Sequence, residues 1–257
     1  MSRIDNVFTK GKAFMPFITA GDPSLSITME LINTMTLAGA DLIEIGIPFS
    51  DPVAEGPVIQ EADYRALNSG TTTDKIFDMV EAIRITNKIP IALMTYANPI
   101  YTYGTERFMS RCSKALVDAV IVPDIPYEEK EELKPFCDQY GITLISMISP
   151  TSKERIGMIT KEAEGFLYCV SSMGVTGTRS EIGCEVEEMI RMVKEVKNIP
   201  CAVGFGISTP SQAKQMSKIS DGVIVGSAIV KLVAQHGANC IKYVEDYVSE
   251  MKKAITY

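Results

Sequence analysis

The chain has 257 residues, 46% of them hydrophobic, enough for one large core or two ordinary ones and too apolar for disorder. Its formal charge is −7, from 25 Lys and Arg against 32 Asp and Glu. An acidic chain without a basic stripe is a poor partner for nucleic acid or an anionic membrane, whereas a small anion can still be held by a local group of backbone N–H donors.

The opening "MSRIDNVFTKGKAF" carries no apolar signal segment, and no stretch approaches the ~20 apolar residues of a membrane span. The expectation is a soluble, cytoplasmic protein, with residues 1–12 as an extra N-terminal helix. Six cysteines form no CxxC pair, and several lie within apolar runs, which suits reduced, buried thiols. Apolar, β-branched runs then recur at 14–19, 41–47, 90–96, 119–122, 142–148, 165–170, 201–203 and 222–225. Most are continuous rather than alternating, as in strands covered on both faces. Helical stripes separate them: Leu25, Thr28, Leu31, Ile32, Met35 and Ala38 form the first, after Pro23-Ser24 and before Gly39. Val186, Met189, Ile190, Val193 and Val196 repeat the spacing, as do Ile241, Val244, Val248 and Met251.

Eight strands alternating with helices imply parallel pairing, and eight is a number that closes a barrel. An open doubly wound sheet would carry fewer strands and an early GxGxxG, which is absent. The expected fold is α/β: a single (β/α)8 TIM barrel spanning residues 1–257, with the extra N-terminal helix closing its floor. Two strand-to-helix connections are long, one after the second strand and one after the sixth. In a parallel barrel both emerge on the C-terminal face, where catalytic groups gather.

The first long connection contains "EIGIPFSDPVAEGPVIQ", residues 44–60, which carries three acids and no base. Strand alternation sets Glu44 on the face opposite Ile43 and Ile45. If the isoleucines pack under helices, Glu44 points into the barrel mouth, where desolvation raises its pKa toward the range of an acid–base catalyst. The other reading is a structural acid paired with a rim cation. Glu55 precedes Gly56-Pro57 and by itself reads better as an acid at a helix N-terminus. Asp51 in "SDP" reads as a turn or capping residue. Glycine-rich turns end the last two strands, "GFGIS" (204–208) and "VGSAIV" (225–230), and consecutive turns of this kind suit a phosphate site. "GVTG" (174–177) is near enough to contribute. Phe17, Tyr96, Tyr168 and Phe205 are core residues singly, and as a set at one rim could hold a flat apolar ligand. His236, the one histidine, reads as a surface or helix-end residue, which leaves no His-based triad or metal site. "EEKEELK" reads as an exposed helical face.

Together "PFITAGDP" (16–23), "DLIEIGIPFSDPVAEGPVIQ" (41–60), "LMTYANPI" (93–100), "VPDIPYEE" (122–129), "SPTS" (149–152), "SSMGVTGTR" (171–179), "GFGIST" (204–209) and "DGVIVGSAIVKLV" (221–233) resemble the tryptophan synthase alpha subunit family, in its order and over nearly the whole chain. The resemblance implies cleavage of indole-3-glycerol phosphate to indole and glyceraldehyde 3-phosphate, without metal or cofactor in this chain. It implies Glu44 as the acid–base at indole C3 and the hydroxyl, and Glu55 as the acid facing the indole N–H. It further implies Phe17, Tyr96, Tyr168 and Phe205 around the indole, and Gly177, Gly206, Gly226 and Ser227 around the phosphate. Thr176 resembles a loop residue that closes over the site. Asp51 and Pro52 resemble parts that meet a pyridoxal-phosphate beta subunit in an alpha2beta2 complex. The family motif reads A-D-G-P, and here it is Ala54-Glu55-Gly56-Pro57. The added methylene moves the carboxylate by about an ångström, a misplacement that can cost about 10²-fold in rate. The alternatives are an attenuated subunit that mainly activates the beta subunit, and a stand-alone lyase.

Overall fold

Residues 13–19, "AFMPFIT", are apolar but for Thr19 and form a fully buried strand, β1 (Ala13–Thr19). Short, largely apolar runs also give β2 (Ile43–Gly46), β3 (Ile91–Met94), β4 (Ala119–Ile121), β5 (Thr143–Leu144), β6 (Ser146–Ile148), β7 (Leu167–Val170), β8 (Cys201–Gly204) and β9 (Gly222–Val225), of which β5 and β6 are only partly buried. The computed structural model describes residues 3–171, 179–204 and 206–256, without the side chains of 179–183. All pairings are parallel, in the order β5-β4-β3-β2-β1-β9-β8-β7-β6. Helices lie between the strands, giving a TIM barrel.

Eight strands were expected from the sequence, and nine segments appear because the fifth run is interrupted at Ile145. β5 pairs with β4 on one side, β6 pairs with β7 on the other, and Ile145 bridges them, its N–H donating to the Val120 carbonyl at 3.0 Å. The chain changes partner within one extended run, so the order reads as open although one segment joins its two ends.

Alternation divides the core in two. Phe14, Ile18, Ile43, Ile45, Ile91 and Leu93 pack outward with helix residues such as Leu31, Ile32 and Met35. Met15, Phe17, Ala92, Met94, Tyr168 and Ala202 pack inside the barrel. The helix Leu25–Leu37 begins at Ser24, whose hydroxyl accepts the Ile27 N–H, and buries the expected stripe through Thr28, Leu31, Ile32 and Met35. Val186, Met189, Ile190 and Val193 are buried as the spacing predicts, but Val196 is exposed at the end of the helix Arg179–Val196.

The expected N-terminal helix is absent: residues 3–10 form a run of turns closed by isolated bonds such as Val7 N–H to the Ile4 carbonyl at 3.1 Å. The segment nevertheless closes the floor. Ile4 and Val7 are buried in the barrel interior, and the Phe8 ring meets Phe166 at 5.6 Å. Burial here needs only those few apolar side chains, so no regular amphipathic helix is required. Asp118, just before β4, anchors the same end. It accepts from Arg3 Nε at 2.5 Å, Arg84 at 2.8 Å and the Ile91 N–H at 2.8 Å.

Candidate active site

β2 reads Ile-Glu-Ile-Gly, and its pleat sends Ile43 and Ile45 to the helices. Glu44 therefore faces inward, in register with Phe17 of β1 and Ala92 of β3. It is 2% exposed, and its Oε1 has no hydrogen-bond partner among the described residues. Among the described residues no cation contributes to its environment; burial first, and the charge of Glu55 second, push its pKa up to about 8. Among those residues Glu44 is a desolvated acid without a paired rim cation.

Glu55 stands just before the helix Pro57–Asn68, whose N-cap Gly56 supplies no side chain and whose first residue is proline. Its carboxylate does not serve as a cap. It reaches the carboxyl of Asp63 and the hydroxyl of Tyr96. Burial raises the Glu55 pKa, while those two hydrogen bonds pull it back down. Tyr96 also accepts the Ala54 N–H at 3.2 Å, so its ring oxygen ties the loop down at two adjacent residues.

Asp63 was not singled out from the sequence. It is 4% exposed on the inner face of that helix, and its pKa is pushed up to about 9, by burial first and by the Glu55 charge next. A signal existed: Ile59, Ala62, Asp63 and Ala66 share one helical stripe, and an acid in such a stripe needs an explanation. Arg65 on the same helix reaches the other way and forms a bidentate pair with Asp22, both bonds 2.8 Å, tying the helix to the connection after β1.

Three of the predicted aromatics are buried here: Phe17 is 3% exposed, Tyr96 2% and Tyr168 6%. Glycines make room for two of them. A Cβ on Gly46 would stand 2.6 Å from the Phe17 ring, and one on Gly226 would stand 3.2 Å from it. A Cβ on Gly204 would lie 2.6 Å from the Tyr168 ring and hydroxyl. Gly204 thus serves the aromatic wall, whatever it does for an anion. Burial, with the Glu44 charge second, raises the Tyr168 hydroxyl well above its ordinary range. Phe205 lies outside the described residues.

Gly226 is the N-cap of the ten-residue helix Ser227–His236, and no side chain caps it. Its first-turn N–H groups and the dipole leave an end of the kind that suits an anion, with Ser227 exposed there. The helix Pro210–Ile219 differs, because Thr209 and Gln212 close its N-terminus with a capping box. Gly206 is exposed, at a φ of 72° suited to glycine, between β8 and that helix. Thr176 and Gly177 lie outside the described residues.

Asp51 is exposed in the loop after β2 and accepts from the Ser50 hydroxyl at 2.5 Å, while Pro52 is half-buried. Asp124, also missed from the sequence, accepts the Ala97 N–H at 3.0 Å and so fixes the start of the helix that follows Tyr96. His236 closes its helix and stacks on Tyr243 at 3.5 Å. A cavity of about 540 Å³ lies beside β4, β5 and β6, lined by Val122, Pro123, Tyr127, Leu144, Met147 and Arg155 among others, and among the described residues none of the predicted site residues lines it. Among the described residues no cluster of His, Cys, Asp and Glu suits a metal ion, and no helix is long and apolar enough to cross a membrane.

The sequence profile of the tryptophan synthase alpha chain family matches residues 5–256. A tryptophan synthase alpha chain of Lacticaseibacillus casei is 44% identical over 255 residues, covering 99% of this chain and 96% of that one. That of Bacillus pumilus is 48% identical over 225 residues, covering 87% and 84%. The crystal structure of tryptophan synthase subunit alpha from Legionella pneumophila superposes with a TM-score of 0.91 at 36% identity, covering 100% of this chain and 99% of that one. A full-length profile match, close relatives and a shared barrel agree with the acid-lined mouth: the chain belongs to the tryptophan synthase alpha chain family.

Proposed function

We infer that this chain is a carbon–carbon lyase that cleaves indole-3-glycerol phosphate to indole and glyceraldehyde 3-phosphate. The observation that carries the reading is Glu44: a buried inward acid, unpartnered at one oxygen, whose proton is held past neutrality. Such a group is an acid at pH 7 and a base once it has given its proton. Glu44 gives that proton to indole C3, and positive charge develops at the indole nitrogen. The Glu55 carboxylate faces that N–H and stabilises the charge. Glu44, now anionic, takes the proton of the glycerol hydroxyl next to the ring. The bond from C3 to the glycerol breaks, its electrons return to the ring, and the hydroxyl carbon becomes the aldehyde. Glu44 ends protonated, so the cycle is balanced.

Phe17, Tyr96 and Tyr168, with Phe205, hold the indole. The uncapped N-terminus at Gly226 and Ser227, with Gly206 and Gly177, takes the phosphate, and Thr176 closes over the site. Asp63 and Tyr96 tether the longer Glu55 side chain, which answers the misplacement expected from its extra methylene. The partner is a beta subunit carrying pyridoxal phosphate, in an alpha2beta2 complex in the cytoplasm. Asp51 and Pro52 lie on the loop that meets it, next to Val53, which is 80% exposed. Binding there orders the loop that carries Glu55.

The test is indole release from indole-3-glycerol phosphate by the purified chain, by Glu44→Gln, and by the chain mixed with a beta subunit. Indole formation that Glu44→Gln lowers by about 10²-fold or more, and that the partner raises several-fold, is the expected result. A Glu44→Gln rate close to wild type ends the mechanism, and a rate indifferent to the partner ends the proposed activation.

A further inference from the structure

The carboxyl groups of Asp63 and Glu55 stand within hydrogen-bonding reach of each other against the buried face of the helix Pro57–Asn68, and among the described residues no cation joins them. Two carboxylates have no donor between them, so one of the pair carries a proton. Asp63 is the more deeply buried, and Glu55 also receives the Tyr96 hydroxyl, a donor that favours its charged form. The proton therefore rests on Asp63 and the charge on Glu55. Resting on the lyase reading above, we propose that Asp63 is a positioning residue for the reaction: its carboxyl donates to the Glu55 carboxylate, fixing that side chain's direction and reserving its charge for the indole N–H.

The surroundings leave Asp63 few other partners. Glu55 faces it from the loop, Thr19 from β1, the Phe49 backbone from the start of the same loop, and Tyr96 lies beyond Glu55 at the end of β3. Glu44, on β2, acts on Glu55's side of the cluster. Arg65, the nearest cation on Asp63's own helix, is committed to Asp22. Loss of the Asp63 proton puts two adjacent anions in one buried site, and the half-buried loop residue is the one free to move away. Activity thus depends on two protons held past neutrality, one on Glu44 and one on Asp63.

The test compares Asp63→Ala and Asp63→Asn with wild type. Asp63→Ala is expected to lower kcat about tenfold or more with KM nearly unchanged, the signature of a misdirected group. Asp63→Asn keeps an N–H donor for Glu55 and is expected to recover most of that loss. On the alkaline side, log kcat should fall with a slope approaching about −2 in wild type and about −1 in Asp63→Asn, since only Glu44 still titrates there. Carbon NMR of the ligand-free protein labelled at aspartate provides a readout independent of turnover. One carboxyl should stay protonated at pH 7, titrate near 9 and vanish in Asp63→Asn. Wild-type kcat in both variants, an unchanged slope, or titration of Asp63 in the ordinary carboxylate range overturns the proposal. A wild-type protein that forms no indole overturns the lyase reading instead, and the NMR titration still decides whether Asp63 and Glu55 share a proton.

Discussion

Phe17 and Glu44 are register partners across β1 and β2, so the aromatic wall and the buried acid stand side by side on the inner face of the barrel. The ring of Phe17 is wedged between Gly46 on one side and Gly226 on the other. One side chain therefore spans from the strand carrying the acid to the helix end that suits an anion.

Glu44→Gln should lower kcat by about 10²–10⁴-fold, the usual contribution of a positioned acid–base. The same change should alter stability with a definite sign. Folding raises the Glu44 pKa from 4.5 to about 8, so the folded state binds the extra proton and stability falls as pH rises between those values. Removing the ionisable group should raise Tm at pH 8, by on the order of a few kcal/mol of stability, and give no such gain at pH 4. Equal Tm differences at the two pH values would falsify the buried-acid assignment. In wild type the rate should decline as pH rises through about 8, because the proton for C3 is lost.

Gly204→Ala should damage the site without touching its acids. The new methyl would meet the Tyr168 ring at 2.6 Å, so the ring or the strand must shift. A loss of about 1–3 kcal/mol in stability is expected, with a raised KM for indole-3-glycerol phosphate. Denaturant unfolding and steady-state kinetics measure the two; normal values in both mean that the ring is free to move.

Ser227→Asp sets stability against function. A carboxylate in the first turn should stabilise the helix Ser227–His236 by about 0.3–1 kcal/mol. It should also repel a substrate phosphate and raise KM about tenfold, the equivalent of ~1.4 kcal/mol. A KM that does not change places the phosphate elsewhere.

Asp118→Ala tests the floor. Arg84 is 4% exposed in its side chain and would lose its carboxylate partner, and Arg3 would lose the same one. Stranding a buried guanidinium costs about 3–5 kcal/mol. Unfolding measurements should register that loss while kcat at a temperature well below Tm stays unchanged, since Asp118 lies at the opposite end of the strands from the site. A loss under 1 kcal/mol would mean that water replaces the carboxylate.

Much of the architecture is legible along the chain. Continuous apolar runs are local signals of strands buried on both faces, and the Ile43-Glu44-Ile45 alternation sets the acid opposite its neighbours, while the packing of Ile43 and Ile45 under the helices turns it inward. The resemblance supplied the roles of Glu44 and Glu55, and it is carried by local strings of residues. Other features depend on residues distant in sequence. The break at Ile145 arises because its segment pairs with β4 before it and β7 after it, a demand of closure that its own apolar run does not record. Residues 3–10 are turns whose Ile4 and Val7 are buried in the barrel floor, contacts made with residues far away in sequence.

The linear order of residues determined the strand run and set Glu44 on the face opposite Ile43 and Ile45, since both follow from periodicity within a few positions. Only the folded barrel decided that Asp63 meets Glu55, that Gly204 yields to Tyr168, and that the helix end at Gly226 stays uncapped. Those outcomes depend on distances across the sheet and on which donors burial leaves within reach, and no local pattern encodes either.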